Sequence, residues 1–285
     1  MSTLGPRERP RHVVAEAWGP WRTRHAVRWA CAQAVLERRP LTLAYTLAPW
    51  QVRPGLARLT LAAVGRAQAR ARRSARRTAP GVEVHTEVRV GHHPSVLVDL
   101  VAHEHLLVLV GPGRRRPGTG PGIRAVAIAS GAGVPVVLVR RGDTSRARAR
   151  VAVAVDGRPG SVAACEVGYA QAELRGSTLD VLGCLPAPAH RAGLPPSDAD
   201  LATARDGLSR LTALHAAPAR AHPHVAVDTA VVIGPVRDVL AQASPPGGLL
   251  VLSASRRGPS VRTSESLTAA VLRRSHCAVA VVPDL

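Results

Sequence analysis

Apolar residues in this chain gather into short runs, separated by longer stretches with helical spacing. The runs are His12–Ala17, Leu41–Tyr45, Val82–Val90, Leu106–Val110 and Pro135–Val139, then Val151–Val155, Leu179–Cys184, His224–Ile233, Leu249–Ser253 and Val279–Val282. Runs of this length, rich in valine and bounded by turn residues, predict strands. Between them, Arg22 to Arg38 carries apolar residues at Ala26, Val27, Ala30, Cys31, Ala34 and Val35, which predicts a helix stopped by Pro40. Pro54 opens a long helix that ends near Thr78, before Ala79-Pro80-Gly81. Further helices are expected from Pro94 to about Ala102, up to Arg175, over Asp198 to Ala217, and from about Ser264, with Pro186 to Pro196 as a loop.

The order reads βαβαβαβαβ, twice. Nearly all-apolar strands alternating with helices argue for a parallel sheet covered on both faces. Leu106 and Leu249 stand 143 positions apart, as do Gly91 and Gly234, and Leu97 and Leu240. Cys31-Ala32-Gln33-Ala34 matches Tyr169-Ala170-Gln171-Ala172 at an offset of 138, so a few loop residues differ between the copies. The expected organisation is a flexible start (1–11), a first domain (12–140), a polar linker (141–149) and a second domain (150–285). Pro135–Val139 and Ala278–Val282 are too apolar to remain exposed edges. They are expected to meet across the domains and join them as an intramolecular pseudo-dimer.

Composition changes this picture in two ways. Among 285 residues, 46% are apolar, yet there are only two Tyr, four Trp and no Phe, so the cores must be built from Val, Leu and Ala. No apolar run approaches the ~18 residues of a membrane span, and no signal-peptide pattern is present. The expectation is a cytoplasmic protein without a transmembrane segment, its four scattered cysteines reduced and packed. The net charge is +19, carried without a single Lys, which reads as a coding bias toward Arg. The excess is lopsided, however: residues 1–146 hold 24 Arg against 8 acids, and residues 147–285 hold 14 against 11.

Several chemistries are removed at once. No G-x-G-x-x-G follows a first strand, and a G-x-x-x-x-G-K-[ST] loop is impossible without lysine, which argues against a dinucleotide oxidoreductase or a P-loop phosphotransferase. His92-His93, His103-Glu104-His105 and His222-Pro223-His224 lack an obvious third ligand and read as loop histidines rather than a metal site. No Ser/His/Asp or Cys/His arrangement is evident, so no catalytic residue, metal or enzyme activity is expected.

What remains is anion chemistry. A strand emptying into the glycine-rich run Gly111 to Gly122 and then a helix is how α/β folds cradle phosphate. Such ligands sit beyond the carboxyl ends of the strands, where strand order reverses, and both Gly111 and Asp156 lie at that kind of edge. The same turn also reads as a plain surface connection.

The tandem layout, the opening Val153-Ala154-Val155-Asp156-Gly157-Arg158-Pro159 and the strand–loop–helix–strand closing each half resemble a universal stress protein with two tandem domains, over about residues 12–140 and 150–283. The resemblance implies two flavodoxin-like (adenine nucleotide alpha hydrolase-like) α/β parallel-sheet sandwiches, paired through their last strands. Many members bind ATP through G-x2-G-x9-G-[ST] after the fourth strand and an Asp ending the first. Here Gly111 and Gly122 fit the outer glycines, with Gly113 and Arg114-Arg115-Arg116 between, but Ile123 stands where Ser or Thr is expected. The first-strand Asp aligns with Ala17, after Glu16. In the second half Asp156 and Gly157 are kept; the loop holds Ser253 and Ser255, and Glu265-Ser266 replaces Gly-Ser. The implied nucleotide-contacting residues are thus Gly111, Gly113, Arg114, Gly122 and Ile123 in one half, and Asp156, Gly157, Ser253, Ser255 and Ser266 in the other. Losing one hydrogen bond to a charged group costs about 1.5–3 kcal/mol, or about 10- to 150-fold in affinity. With contacts missing in both halves, ATP binding is expected to be weak or absent, and the role regulatory rather than catalytic.

The long helix of the first half offers a second reading. On a helical wheel Leu61, Val64, Ala67, Ala71, Ala75 and Thr78 share one side, and Arg58, Arg66, Arg70, Arg73 and Arg77 the other. No acid lies between Glu37 and Glu83 to neutralise them. That stripe is either a solvated face or a surface for an anionic partner: nucleic acid, lipid surface or acidic protein.

Overall fold

The computed structural model describes residues 11–17, 23–111, 127–129, 131–140, 142–143, 148–156, 160–185, 197–254 and 267–283. The first half runs β1 (Val13–Glu16), α1 (Arg24–Glu37), β2 (Leu41–Leu47), a 3-10 turn (Pro49–Val52), α2 (Ala57–Thr78), β3 (Val84–Val90), α3 (His93–Val101), β4 (Leu106–Val110) and β5 (Val136–Val139). The second runs β6 (Val151–Val155), α4 (Gly160–Arg175), β7 (Leu179–Leu185), α5 (Asp198–Ala221), β8 (Val227–Ile233), α6 (Val236–Ala243), β9 (Leu249–Ser253), α7 (Leu267–Arg274) and β10 (Ala278–Val282). The proposed loop at Pro186 to Pro196 and the start before Arg11 lie outside the described residues.

All ten strands of the described residues join one sheet in the order β3-β2-β1-β4-β5-β10-β9-β6-β7-β8. Counted outward from the middle, both halves show the same order. Every pair is parallel except the central one, where β5 meets β10 antiparallel through Leu138↔Val279, Val137↔Ala280 and Val136↔Val281. The two apolar closing strands thus cover each other's hydrogen-bonding edge, which water would otherwise have to satisfy. Their side chains alternate between two cores. Val137, Val139, Ala278, Ala280 and Val282 face the layer that holds α1, α2, α4 and α5, while Val136, Leu138, Val279 and Val281 face the opposite core with Leu97 of α3, Leu240 of α6 and Leu272 of α7.

Two boundaries differ from the sequence pattern. The 3-10 turn precedes α2, closed by Gln51, whose side-chain oxygen accepts from the Ala48 N–H at 2.8 Å. Helix α5 continues past Ala217, through Pro218, to Ala221. A proline removes one N–H but keeps its carbonyl; that of Pro218 still accepts from the His222 N–H at 3.1 Å, so the last turn closes. At the other end Ser197 caps α5. Its hydroxyl accepts from the Asp200 N–H (3.3 Å), and the Asp200 carboxylate accepts from the Ser197 N–H (2.8 Å).

A buried polar ring ties α1 to α4. Gln33 and Gln171 hold equivalent places in the two helices, as do Glu37 and Arg175. Both amides donate to Glu37 Oε1, Gln33 at 2.5 Å and Gln171 at 2.8 Å. The Arg175 guanidinium donates in turn to the carbonyl oxygens of both, at 2.8 Å for Gln33. His105 Nε2 lies 3.1 Å from Glu37 Oε2. Burial pushes the Glu37 carboxyl up, but His105 and the two amides outweigh it and hold the group below its ordinary value. Burial pulls Arg175 down to about 10 against the pull of Glu37. A second tie is Arg140, just after β5. Its guanidinium donates to the carbonyls of Arg273 (3.4 Å) and Ser275, at the end of α7, where cations suit the exposed carbonyls.

Candidate functional site

Strand β6 lies between β9 and β7, so strand order reverses at its carboxyl end. Ala154 pairs with Leu252, which sets Asp156 and Ser253 just beyond that rung on neighbouring strands. Asp156 is exposed. The Ser161 hydroxyl, in the first turn of α4, donates to its carboxylate at 2.9 Å and accepts from its N–H at 3.2 Å. A carboxylate held at a helix start and opening to solvent suits a hydroxyl-bearing ligand. Ser253 ends β9, half-buried. The remaining expected contacts of this half, Gly157, Ser255 and Ser266, lie outside the described residues.

The first half departs from expectation at the same edge. Val13 and Val151 hold the same place against Leu41 and Leu179, so the equivalent of Ala17 is Val155. The expected match of Ala17 to Asp156 is therefore one residue out, because the repeat offset is set by strand register and not by loop composition. Asp156 corresponds to Trp18, outside the described residues. Glu16 turns to α3, where its carboxylate meets His93 Nε2 at 2.7 Å. Gly111, expected to donate to phosphate, instead donates its N–H to the Val139 carbonyl at 2.8 Å. This bond closes the β4–β5 ladder at its last rung, Val110↔Val139, and takes the donor. Gly113, Arg114, Gly122 and Ile123 lie outside the described residues.

One histidine of each group finds a structural partner. His93 meets Glu16, His105 meets Glu37, and His222 Nδ1 lies 2.8 Å from Glu173 Oε2. Among the described residues no three His, Cys, Asp or Glu side chains are placed to share a metal. Burial pushes all four thiols up, Cys31 and Cys184 to about 11 and Cys165 and Cys277 to about 12, so none is an activated nucleophile.

Helix α2 is mostly exposed, with only Val64 and Ala75 fully buried. Leu61, expected to face the core, is 53% exposed. The arginine stripe also divides. Arg73 and Arg77 point to solvent, whereas Arg66 and Arg70 border a cavity of about 460 Å³ between α1 and α2. Pattern alone missed this cavity, although small residues at Ala63, Ala67 and Ala71, one helical turn apart, were its signal.

Comparison with known proteins agrees with this architecture. Residues 148–283 match the model of the universal stress protein family. A universal stress protein from Archaeoglobus fulgidus superposes over 96% of both chains with a TM-score of 0.68 at 13% identity. A candidate universal stress protein from Pseudomonas aeruginosa does so over 96% of this chain and 94% of that one, with a TM-score of 0.61 at 15% identity. A functionally unknown protein from the same species, 15% identical, covers 96% and 93% with a TM-score of 0.59. No curated protein matches the sequence. Among the described residues no helix is long and apolar enough to cross a membrane. The chain has the universal stress protein fold, and its second half carries that family's sequence pattern.

Proposed function

We propose that the chain is a stress-linked regulatory or adaptor protein with a weakened adenine-nucleotide site, and that it performs no catalysis. The observation that carries this reading is Asp156: an exposed carboxylate at the strand-order reversal, in the half that matches the family model. In this reading domains 12–140 and 150–285 act as an intramolecular pseudo-dimer, and Asp156 holds the ribose or base side of ATP. Gly157, Ser253, Ser255 and Ser266 complete the second-half set. Weakness follows from Glu265, whose charge opposes phosphate, and from Gly111, whose N–H is already engaged. Titration calorimetry of ATP should give a dissociation constant approaching about 1 mM. Asp156→Ala should weaken binding and Glu265→Gly strengthen it. Submicromolar binding indifferent to both changes would overturn the reading.

A second reading is favoured by the charge of the first half: an adaptor that binds an anionic partner through Arg66, Arg70, Arg73 and Arg77. Such binding should fall steeply with salt and vanish when all four become Glu. Unchanged binding to a polyanion would place the interaction elsewhere.

A further inference from the structure

The cavity between α1 and α2 has two kinds of wall. Ala17, Val27, Ala63, Ala67, Ala71 and the ring of Tyr45 make an apolar chamber, and Arg24, Arg28, Arg66 and Arg70 also line it, their side chains reaching solvent. None of the four arginines has an ion pair or hydrogen bond among the described residues. Tyr45 is 2% exposed, yet its hydroxyl has no partner. A buried hydroxyl without a partner is rare and costly, but this one is sealed from solvent and contributes nothing to the chamber's open wall. Apolar walls and unpaired guanidinium groups together describe a guest: an apolar body that carries an anion.

The second half shows that this is not what the fold requires. Strand register and helix ends set the equivalences, and the large side chains of one half meet small ones in the other. Val155, Tyr169 and Leu214 occupy the places of Ala17, Cys31 and Ala71. Tyr169 reaches His215 Nδ1 at 2.8 Å, which fills the layer between α4 and α5. The arginine positions are equally one-sided: Val162, Glu166, Ser209 and Ala213 stand where the first half has Arg24, Arg28, Arg66 and Arg70. The chamber and its charge therefore occur together, in one half.

We propose that this chamber binds an acyl-chain anion, with the chain between α1 and α2 and its terminal carboxylate or phosphate on Arg24, Arg28, Arg66 and Arg70. Its volume is within the ~300–1,000 Å³ of small-molecule sites. Its lining includes neither Gly111 nor any residue of β4, so it stands apart from the expected phosphate loop, although Ala17 and Thr23 bring its wall to the carboxyl end of β1, where the second half has Asp156 and Ser161.

The test is calorimetry of the full chain with dodecanoate and dodecyl phosphate below their micelle concentrations, with dodecanol as the uncharged control. One molecule should bind per chain, with an affinity on the order of micromolar, and whichever head group binds tighter identifies the source. Dodecanol should bind at least about tenfold more weakly, as should dodecanoate to the Arg66→Gln, Arg70→Gln double variant. Cys31→Tyr and Ala71→Leu each fill the chamber as the second half does, from different helices, and either should abolish binding. The parent chain provides a check that needs no variant: dodecanoate should raise its melting temperature in a saturable way. ATP should not displace the ligand. Absence of binding, equal affinity for dodecanol, unaltered binding by a folded chamber-filling variant, or displacement by ATP would each overturn the proposal.

Discussion

The α1–α2 layer of the first half and the α4–α5 layer of the second share a sheet, a strand order and a register, yet one is open and the other filled. In the second half the aromatic bulk sits on the helix. Tyr169 bonds His215, whose Nε2 lies 3.3 Å from Thr229 Oγ1, and the His222 ring stacks 5.9 Å from that of Tyr169. Strand β7 has Gly183 facing this layer, where a Cβ would already touch Leu211 and Val231 at 3.4 Å. In the first half the bulk has moved to the strand as Tyr45, and Cys31 stands on the helix. Moving one aromatic ring from helix to strand keeps the sheet and its pairing but leaves α2 standing off, with Leu59 and Leu61 exposed. Close packing of these layers is thus a property of particular side chains, and the fold tolerates its loss.

The largest way to break this comparison is at the place where the halves depend on each other. Replacing Glu37 by Leu leaves Arg175 buried without its counter-charge, and urea denaturation should show a loss of about 3–5 kcal/mol. Exchanging the pair, Glu37→Arg with Arg175→Glu, should recover much of that loss, because the two glutamines between them accept and donate equally well. An exchange as damaging as the single change would show that the ring is not a symmetric connector.

Next in size, Tyr169→Cys gives the second half the helix residue of the first. It deletes a buried ring and leaves His215, whose imidazole burial already pushes down, without its hydroxyl partner. Calorimetric unfolding should show a cost of about 2–4 kcal/mol. A negligible change would mean that α5 closes onto the gap, which the first half has not done.

Acid provides a graded version of the first experiment. The folded pKa of Glu37 lies below its unfolded value, so its contribution is complete above the ordinary carboxylate range and is lost as pH falls through the depressed folded value. The urea midpoint should fall over that acidic window, and Glu37→Gln should flatten the fall. An unaltered acid profile in that variant would assign the loss to other carboxylates.

The smallest effect compares two helix ends. Helix α1 is followed by Arg38 in the left-handed region (φ 51°), and α4 by Gly176 in the same place (φ 58°). A side chain there costs about 1 kcal/mol, so Arg38→Gly should stabilise the chain by that amount in thermal unfolding. A destabilisation would show that the Arg38 side chain contributes more than its backbone costs.

The strands and most helices were legible because their signals are local: valine-rich runs, helical spacing, and proline or glycine at the ends. The repeat was legible too, since equal offsets survive any change of side chain. What escaped depended on contacts across the fold. The Gly111 N–H was taken by the bond that closes the β4–β5 ladder, a backbone pairing that no pattern of apolar residues specifies. Leu61 had the right helical phase but no partner surface, because Cys31 and Ala71 had withdrawn it. Glu37 and Arg175 hold one repeat position with opposite charges, but only the folded α1–α4 contact shows that they share a ring. Of the candidate site, Asp156 was legible as the residue after a strand, and the strand pairing that sets it beside Ser253 came from the structure.

The antiparallel joint of β5 with β10 also has a consequence in time. Synthesis completes β5 long before β10, the last strand of the described chain. Until then Val136–Val139 is an open, wholly apolar edge. The half-made molecule thus presents a strand edge that the finished one covers. A premature stop after Val139 would therefore release a product whose open apolar edge favours aggregation.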